Sequence, residues 1–141
     1  MGAGLNRPLA GVILAGGGAT RLGGVAKGLL DVGGRRMIDR VAAALAPVVD
    51  ELLLSANAVD AASWLANARV IADVLPGGGS AAGIHAALRA TTGPVFAVGW
   101  DLPFITERLI RELVAVVTGR EEETDAVVAA GPHAGKVEPL C

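Results

Sequence analysis

The sequence predicts an α/β fold in which helices cover both faces of a mostly parallel β-sheet. Short apolar runs that are typical of buried strands alternate along the chain with segments whose apolar residues recur at helical spacing. Glycines concentrate at the joints between these segments instead of being spread evenly. Strands that alternate with helices favour parallel pairing, because a parallel neighbour has to be reached through a crossover connection.

The order of the segments predicts where each element lies. Apolar runs predict strands at residues 11–15, 51–56, 69–72, 94–99 and 125–130. Helical spacing predicts helices at residues 37–48, 59–66 and 82–90, and an extended piece at 29–32 is followed by a Gly33-Gly34 turn. Thr106 is a good N-cap for a last helix, whose expected apolar face comprises Leu109, Ile110, Leu113, Val116 and Val117.

Composition limits the class of protein. The 141 residues suit a single domain, 52% of them are hydrophobic, and a net charge of −2 argues against a nucleic-acid-binding face. Every apolar stretch stops well short of the roughly 18 residues that a membrane span needs, and residues 1–9 lack the pattern of an export signal. The single cysteine, Cys141, excludes an internal disulfide and a Cys-based zinc site. We therefore expect a soluble, cytoplasmic domain with no nucleic-acid or membrane partner.

Glycine-rich or polar positions follow four of the predicted strands. A glycine loop at residues 16–18 follows the first strand, and Asn57, Asp73 and Asp101 follow the next three. In open parallel sheets, ligands bind beyond the carboxyl ends of the strands, where the strand order reverses. These positions are therefore expected to converge on one binding site.

The glycine-rich loop fits neither of two common phosphate-binding motifs. A Walker A loop requires Ser or Thr after its lysine, whereas Lys27 is followed by Gly28. A dinucleotide fingerprint requires a third glycine where this chain has Arg21, and a helix that opens at once, whereas the first predicted helix begins near Met37. A hydride-transferring oxidoreductase, which would bind NAD without Mg²⁺, is therefore the weaker alternative.

Two cations stand in the segment between Leu14 and Leu30. Glycines let backbone N–H groups point at anionic oxygens, Arg21 can donate a forked pair of hydrogen bonds to phosphate, and Lys27 adds a point charge on a flexible stem. A site that cleaves a triphosphate at its α-phosphate needs such cations, because negative charge builds up on the leaving pyrophosphate. The segment therefore predicts binding of a nucleoside triphosphate and transfer of its nucleotidyl group.

Six motifs follow one another along essentially the whole chain. The first is Leu14-Ala-Gly-Gly-Gly-Ala-Thr-Arg21-Leu-Gly-Gly-Val-Ala-Lys27. The others are Leu54-Ser-Ala-Asn57, Val70-Ile-Ala-Asp73, Gly83-Ile-His-Ala-Ala-Leu88, Asp101-Leu-Pro-Phe104 and Pro139-Leu-Cys141. The first motif resembles the signature of nucleotidyltransferases with a glycosyltransferase-A-like fold, and the set most resembles the molybdenum cofactor guanylyltransferase family.

This resemblance implies a Rossmann-like three-layer sandwich of the nucleotide-diphospho-sugar transferase type. It implies a single nucleotidyltransferase domain over residues 1–141, with the C-terminal part of the family fold missing. The implied reaction is attack by the terminal phosphate of molybdopterin on the α-phosphate of GTP, with Mg²⁺ as cofactor and pyrophosphate released. The residues leave open whether another protein delivers the molybdopterin.

The resemblance also implies roles for single residues. Nucleotide-binding positions are implied at Leu14, Ala15, Gly16, Gly17, Lys27, Asn57, Asp73 and Asp101. The backbone of the first three would contact the guanine. Arg21, Lys27 and Asp101 would be catalytic, and Asp101 would bind the Mg²⁺.

The sequence departs from the family pattern at several positions. Gly79-Ser-Ala-Ala-Gly83 stands where Gly-Pro-Leu-Ala-Gly is usual, Ala26 stands where an acidic residue is common, and Trp100 takes the place of a small residue or cysteine before Asp101. Two alternatives stay open. One is a sister nucleotidyltransferase that uses CTP or a sugar phosphate, and the other is a truncated, non-catalytic nucleotide-binding domain.

Overall fold

The computed structural model describes residues 7–15, 21–22, 25–75, 77–119 and 126–127, with no side-chain description for residues 21 and 22. The predicted strand at 125–130 lies almost wholly outside these ranges. The glycine loop at 16–18 lies outside them entirely.

The described elements alternate between strands and helices. The strands are β1 (Ala10–Leu14), β2 (Arg21–Leu22), β3 (Val25–Ala26), β4 (Glu51–Ser55), β5 (Arg69–Ile71) and β6 (Val95–Gly99). The α-helices are α1 (Met37–Leu45), α2 (Gly79–Ala90) and α3 (Glu107–Thr118). Short 3₁₀ helices span Lys27–Leu29 and Ala61–Ser63.

Four strands form a parallel sheet in the order β5-β4-β1-β6, and β2 pairs with β3 in a separate antiparallel ribbon. All five residues of β1 are buried, as expected for a central strand with neighbours on both sides. The chain moves from β1 outward to β5 and then returns to the other side of β1, so the strand order reverses between β1 and β6. The predicted parallel α/β architecture is confirmed.

Alternate residues of β1 supply two separate cores. Ile13 belongs to a cluster that includes Ile38 of α1 and Ile110 of α3, whereas Val12 belongs to a cluster that includes Ala87 of α2. Since successive side chains of a strand point to opposite faces, α1 and α3 cover one face of the sheet and α2 covers the other. The result is a three-layer arrangement.

Helix α2 lies unusually close to the carboxyl ends of β1 and β4. A Cβ atom on Gly83 would meet Ser55 Oγ at 2.7 Å and Leu14 Cδ2 at 2.8 Å. Helix α2 also begins at Gly79 rather than at the predicted residue 82, so Ser80 falls in its first turn. Glycine at position 83 therefore brings the start of this helix against the sheet edge.

Other sequence predictions also need correction. The predicted helix at 59–66 is only a 3₁₀ turn, because Val59 is fully exposed and only Ala61 and Trp64 bury side chains there. Helix α1 stops at Leu45 rather than at residue 48, since Pro47 has no N–H to continue the hydrogen-bond pattern.

The buried face of α3 also differs from the prediction. Ile110 is fully buried and Val114 packs beside it, while Leu109 and Val116 are exposed. The Thr106 N-cap is confirmed, because its side chain accepts a hydrogen bond from Leu109 N at 3.2 Å. Among the described residues, no helix is long and apolar enough to cross a membrane.

Candidate functional site

Two residues from the predicted site form an ion pair between distant parts of the chain. Lys27 Nζ lies 2.9 Å from Asp101 Oδ2, although 74 residues separate them in sequence. Lys27 opens the 3₁₀ helix that follows β3, and Asp101 lies two residues after the end of β6. The pair therefore stands beside the point where the strand order reverses.

This ion pair is open to solvent. The Lys27 and Asp101 side chains are 44% and 39% exposed, so solvent screens their attraction and the pair contributes at most about 1 kcal/mol to stability. A weak contribution to folding leaves both charges available for other partners. The arrangement suits ligand binding better than structural support.

On the other side of β1, Asn57 and Asp73 hold each other through two hydrogen bonds. Asn57 Nδ2 donates to Asp73 Oδ2 at 2.8 Å, and the backbone N–H of Asp73 donates to Asn57 Oδ1 at 2.9 Å. Ser55 Oγ, from a buried side chain at the end of β4, donates to Asp73 Oδ1 at 3.4 Å. Both carboxylate oxygens of Asp73 thus accept a hydrogen bond, which fixes the orientation of this group at the sheet edge.

A shallow pocket joins this pair to the first turn of α2. Its lining includes Leu14, Asn57, Asp73, Ser80 and Gly83. The N-cap Gly78 supplies no side-chain hydrogen bond to the helix. Since the first N–H groups of a helix have no partner within it, this end of α2 presents donors beside the Asp73 carboxylate.

Backbone groups at the end of β1 are engaged inside the protein. The carbonyl of Leu14 accepts a hydrogen bond from Trp100 N at 3.1 Å, and Ala15 N donates to the carbonyl of Ser55 at 2.9 Å. Both residues are buried, with Leu14 lining the pocket. Gly16 and Gly17 lie outside the described residues, as does the side chain of Arg21, so their predicted roles stay predictions.

Two stacked indoles lie beside the ion pair, since Trp100 directly precedes Asp101. The rings of Trp64 and Trp100 lie 5.4 Å apart, centre to centre, at an interplanar angle of 29°. Trp64 Nε1 donates to Asp60 Oδ2 at 3.1 Å, and Arg36 Nη2 donates to the carbonyl of Trp64 at 2.9 Å. Arg36 also donates to Asp39, and that hydrogen bond raises the pKa of the guanidinium.

Sequence reasoning missed several residues of this site. Ser55 has a recognisable signal, since it directly follows the leucines of β4 at the end of a buried strand. A buried serine needs a hydrogen-bond partner. Ser80 lies in the segment Gly79-Ser-Ala-Ala-Gly83, whose departure from the family motif is the sequence signal at this position. The stack of Trp64 on Trp100 has no local signal, because the two residues lie on different elements and meet only in the fold.

A hard cation could be held here by one carboxylate. Among the described residues, no group of three or more His, Cys, Asp or Glu side chains is arranged to hold a metal. Mg²⁺ is commonly bound through one or two carboxylates, with phosphate oxygens and waters filling its other positions. Asp101, half-exposed at a strand end, fits that donor set.

Comparison with known proteins assigns the chain to a family. A family model described as a MobA-like NTP transferase domain matches residues 11–141. The chain belongs to this family. As a MobA-like NTP transferase domain, it carries its Lys27–Asp101 pair and its Asn57–Asp73 pair within the matched region.

Two curated relatives of this MobA-like domain are similar along most of its length. A probable molybdenum cofactor guanylyltransferase of Pelotomaculum thermopropionicum is 38% identical over 131 residues, covering 92% of this chain and 60% of the relative. The molybdenum cofactor guanylyltransferase of Desulfosudis oleivorans is 35% identical over 133 residues, covering 93% of this chain and 62% of the relative. The chain thus spans about three-fifths of the length of these relatives.

A solved structure supports the fold of the MobA-like domain. The molybdopterin-guanine dinucleotide biosynthesis protein A of Archaeoglobus fulgidus superimposes with a TM-score of 0.66 at 26% identity, covering 94% of this chain and 64% of that one. The predicted nucleotide-diphospho-sugar transferase type of fold is confirmed by this similarity.

Proposed function

We propose that this chain transfers GMP from GTP to molybdopterin, with release of pyrophosphate and with Mg²⁺ as cofactor. Its family and the names of its curated relatives support this reaction class. The observation that carries the proposal is the Lys27–Asp101 ion pair, which puts an exposed cation and an exposed carboxylate together at the switch point of the sheet. In nucleotidyl transfer, a cation can bind the phosphate oxygens and a carboxylate can bind Mg²⁺.

The proposed reaction forms one P–O bond and breaks another. A terminal phosphate oxygen of molybdopterin attacks the α-phosphorus of GTP, and the bond from that phosphorus to the oxygen bridging to the β-phosphate breaks. The electron pair leaves with pyrophosphate. Because little covalent work falls to the protein in such a displacement, positioning and charge neutralisation carry most of the catalysis.

Lys27 would hold the phosphates in this proposal. The Lys27 side chain is 44% exposed and flexible, so its ammonium group can exchange the Asp101 carboxylate for a phosphate oxygen. A cation bound at Asp101 would favour that exchange by neutralising the carboxylate. Mg²⁺ would supply neutralisation of the phosphate charge, and Asp101 is the described residue that fits it.

The other end of the site would hold the nucleoside. Asn57, Asp73 and the first turn of α2 lie beside the ends of β4 and β5, across β1 from the ion pair. The distance between the outer strands of this sheet is about 14 Å, three interstrand spacings, which suits an extended nucleotide. An oriented carboxylate beside backbone N–H donors can pair with the polar edge of a base or with ribose hydroxyls.

Calorimetric titration of the chain with GTP, CTP, ATP and NAD, with and without Mg²⁺, tests the nucleotide half of the proposal. We expect GTP to bind most tightly and Mg²⁺ to strengthen the binding. A preference for CTP would move the protein to the sister cytidylyltransferases. Binding of NAD without Mg²⁺ would instead support the oxidoreductase alternative and contradict the proposed reaction.

Turnover tests the acceptor. GTP labelled at the α-phosphate should yield a labelled guanine dinucleotide only when molybdopterin is present, with pyrophosphate formed in equal amount. GTP binding without any transfer would favour the non-catalytic nucleotide-binding alternative. A sugar phosphate that replaces molybdopterin would contradict the assigned acceptor.

A further inference from the structure

The residues next to the ion pair pack directly against each other. Gly28 follows Lys27, and Trp100 precedes Asp101. A Cβ atom on Gly28 would overlap Cε3 and Cδ2 of the Trp100 indole and would lie 2.8 Å from its Cγ. The backbone of the Lys27 turn therefore rests on the face of this ring, at a separation that glycine alone permits.

The indole of Trp100 is itself held in place from two directions. The backbone N–H of Trp100 donates to the carbonyl of Leu14 at 3.1 Å, which ties residue 100 to the end of β1. Trp64 stacks on its ring, and the Trp64 indole is fixed in turn by its hydrogen bond to Asp60. Both tryptophans are about 95% buried, so close packing restricts the movement of both rings.

The ion pair cannot set this geometry by itself. Both of its side chains are more than one-third exposed and have long or rotatable stems, so solvent and side-chain entropy weaken their attraction. The contact between Gly28 and Trp100 is buried, so water does not weaken it in this way. The geometry of the pair is therefore set by the packing of its two neighbours.

We propose that Trp100 is a positioning residue, whose indole supports the Lys27 turn through Gly28 and keeps the Lys27 ammonium group opposite Asp101. In this proposal, the ring acts through the backbone of residues 27 and 28. The part of this inference that concerns phosphate binding by Lys27 rests on the proposed function. We therefore design one test with nucleotide and one test without it.

The test without nucleotide measures the rate at which the Lys27 ammonium group is acylated, read by peptide mass spectrometry. The rate in the folded chain is divided by the rate in the same chain unfolded in urea, which gives a relative rate. We expect Trp100→Leu to raise the relative rate at least threefold, toward the rate of Asp101→Ala, in which the partner carboxylate is gone. Trp100→Phe, which keeps a flat ring, should give a smaller increase. Ile110→Ala is the matched control, because it removes fully buried side-chain volume from the same core without touching Gly28.

The nucleotide test compares affinities for GTP and guanosine. Trp100→Leu should weaken GTP binding about tenfold and leave guanosine binding within about twofold, because only the phosphate contact depends on Lys27. Gly28→Ala should weaken GTP binding in the wild-type background and have little further effect in the Trp100→Leu background, where its overlapping partner is absent.

The two tests separate the failure of this inference from failure of the proposed function. A wild-type chain that binds no GTP would remove the proposed function, while the acylation rates would still decide whether Trp100 positions Lys27. Unchanged Lys27 acylation in folded Trp100→Leu would overturn the inference, as would equal losses for GTP and guanosine. If Trp100→Leu does not fold, Trp100→Phe and Gly28→Ala decide in its place: unchanged acylation in both would overturn the inference equally.

Discussion

At the residue scale, Lys27 and Asp101 combine close contact with exposure. Their side chains meet at 2.9 Å, yet each retains more than one-third of its surface in water. A pair built for stability would be shielded from water, because screening removes most of the energy of an exposed pair. Asn57 and Asp73 show the complementary arrangement, in which mutual hydrogen bonds orient a carboxylate toward a pocket.

Lys27→Ala should weaken binding of GTP while leaving binding of guanosine unchanged. A hydrogen bond between charged groups is worth about 1.5–3 kcal/mol, or roughly a 10- to 150-fold change in dissociation constant. Calorimetry on both ligands measures the difference. Arg108→Ala removes a cation from another exposed ion pair, on α3, and should change neither affinity. Equal losses for GTP and guanosine would show that Lys27 makes no phosphate contact.

Asp101→Ala should lower the rate of Mg²⁺-dependent guanylyl transfer by at least about 100-fold, since a lost electrostatic partner of the transition state typically costs that much. The unfolding midpoint should barely change, because the carboxylate is 39% exposed. Glu112→Ala removes a carboxylate from the exposed ion pair on α3 and is the control. Transfer activity that survives in Asp101→Ala would exclude this residue from the metal site.

At the element scale, the three helices differ in how their first N–H groups are satisfied. Thr106 caps α3 with its side chain, whereas α1 and α2 begin without a side-chain cap. The uncapped start of α2 lies at the pocket, where a ligand can take up the free N–H groups. At the start of α3, by contrast, the Thr106 side chain accepts a hydrogen bond from one of these N–H groups, that of Leu109.

Thr106→Ala should destabilise the protein by about 1 kcal/mol, the usual cost of losing an N-cap hydrogen bond. Thr118→Ala is the control on the same helix, because Thr118 donates to the carbonyl of Ala115 at the other end and caps no N–H group. Chemical denaturation should show a lower midpoint for the first variant and a smaller shift for the second. Equal shifts would mean that the Thr106 cap adds no specific stability.

At the scale of the whole molecule, two cores share one set of strands. Leu53 packs into the cluster under α2, and Leu54, its neighbour on β4, packs into the cluster under α1 and α3. Neither core can lose its packing without disturbing the strands that support the other. The residues of the candidate site stand at the edge of this sheet, so their positions depend on both cores.

Leu53→Ala should destabilise the protein by about 2–5 kcal/mol, the usual range for a buried leucine, and unfolding should remain a single transition. The fluorescence of Trp64 and Trp100 reports only on the other face of the sheet, where both rings lie. Circular dichroism and fluorescence should therefore give coincident unfolding curves in urea. If fluorescence kept the wild-type midpoint while circular dichroism shifted, the two cores would be unfolding independently.

Much of the local structure could be predicted from the sequence alone. The buried strands at 51–55 and 95–99, the Thr106 cap and the Gly33-Gly34 turn all follow from patterns within a few residues of chain. The alternation of strands and helices was enough to predict a parallel sheet. The placement of Asn57, Asp73 and Asp101 after strands was enough to predict that they share one edge of it.

The tertiary structure decided which of these residues meet. Strand order placed Asn57 with Asp73 on one side of β1 and Lys27 with Asp101 on the other, and no local pattern specifies either pairing. It also decided which face of α3 is buried, because the apolar residues of this helix lie on more than one face and only packing against the core selects among them. The contact between Gly28 and the Trp100 indole was also decided by the tertiary structure, because the two residues are far apart in sequence. A sequence determines local hydrogen bonding and periodicity over short distances, whereas a site is made of contacts between segments that only close packing brings together.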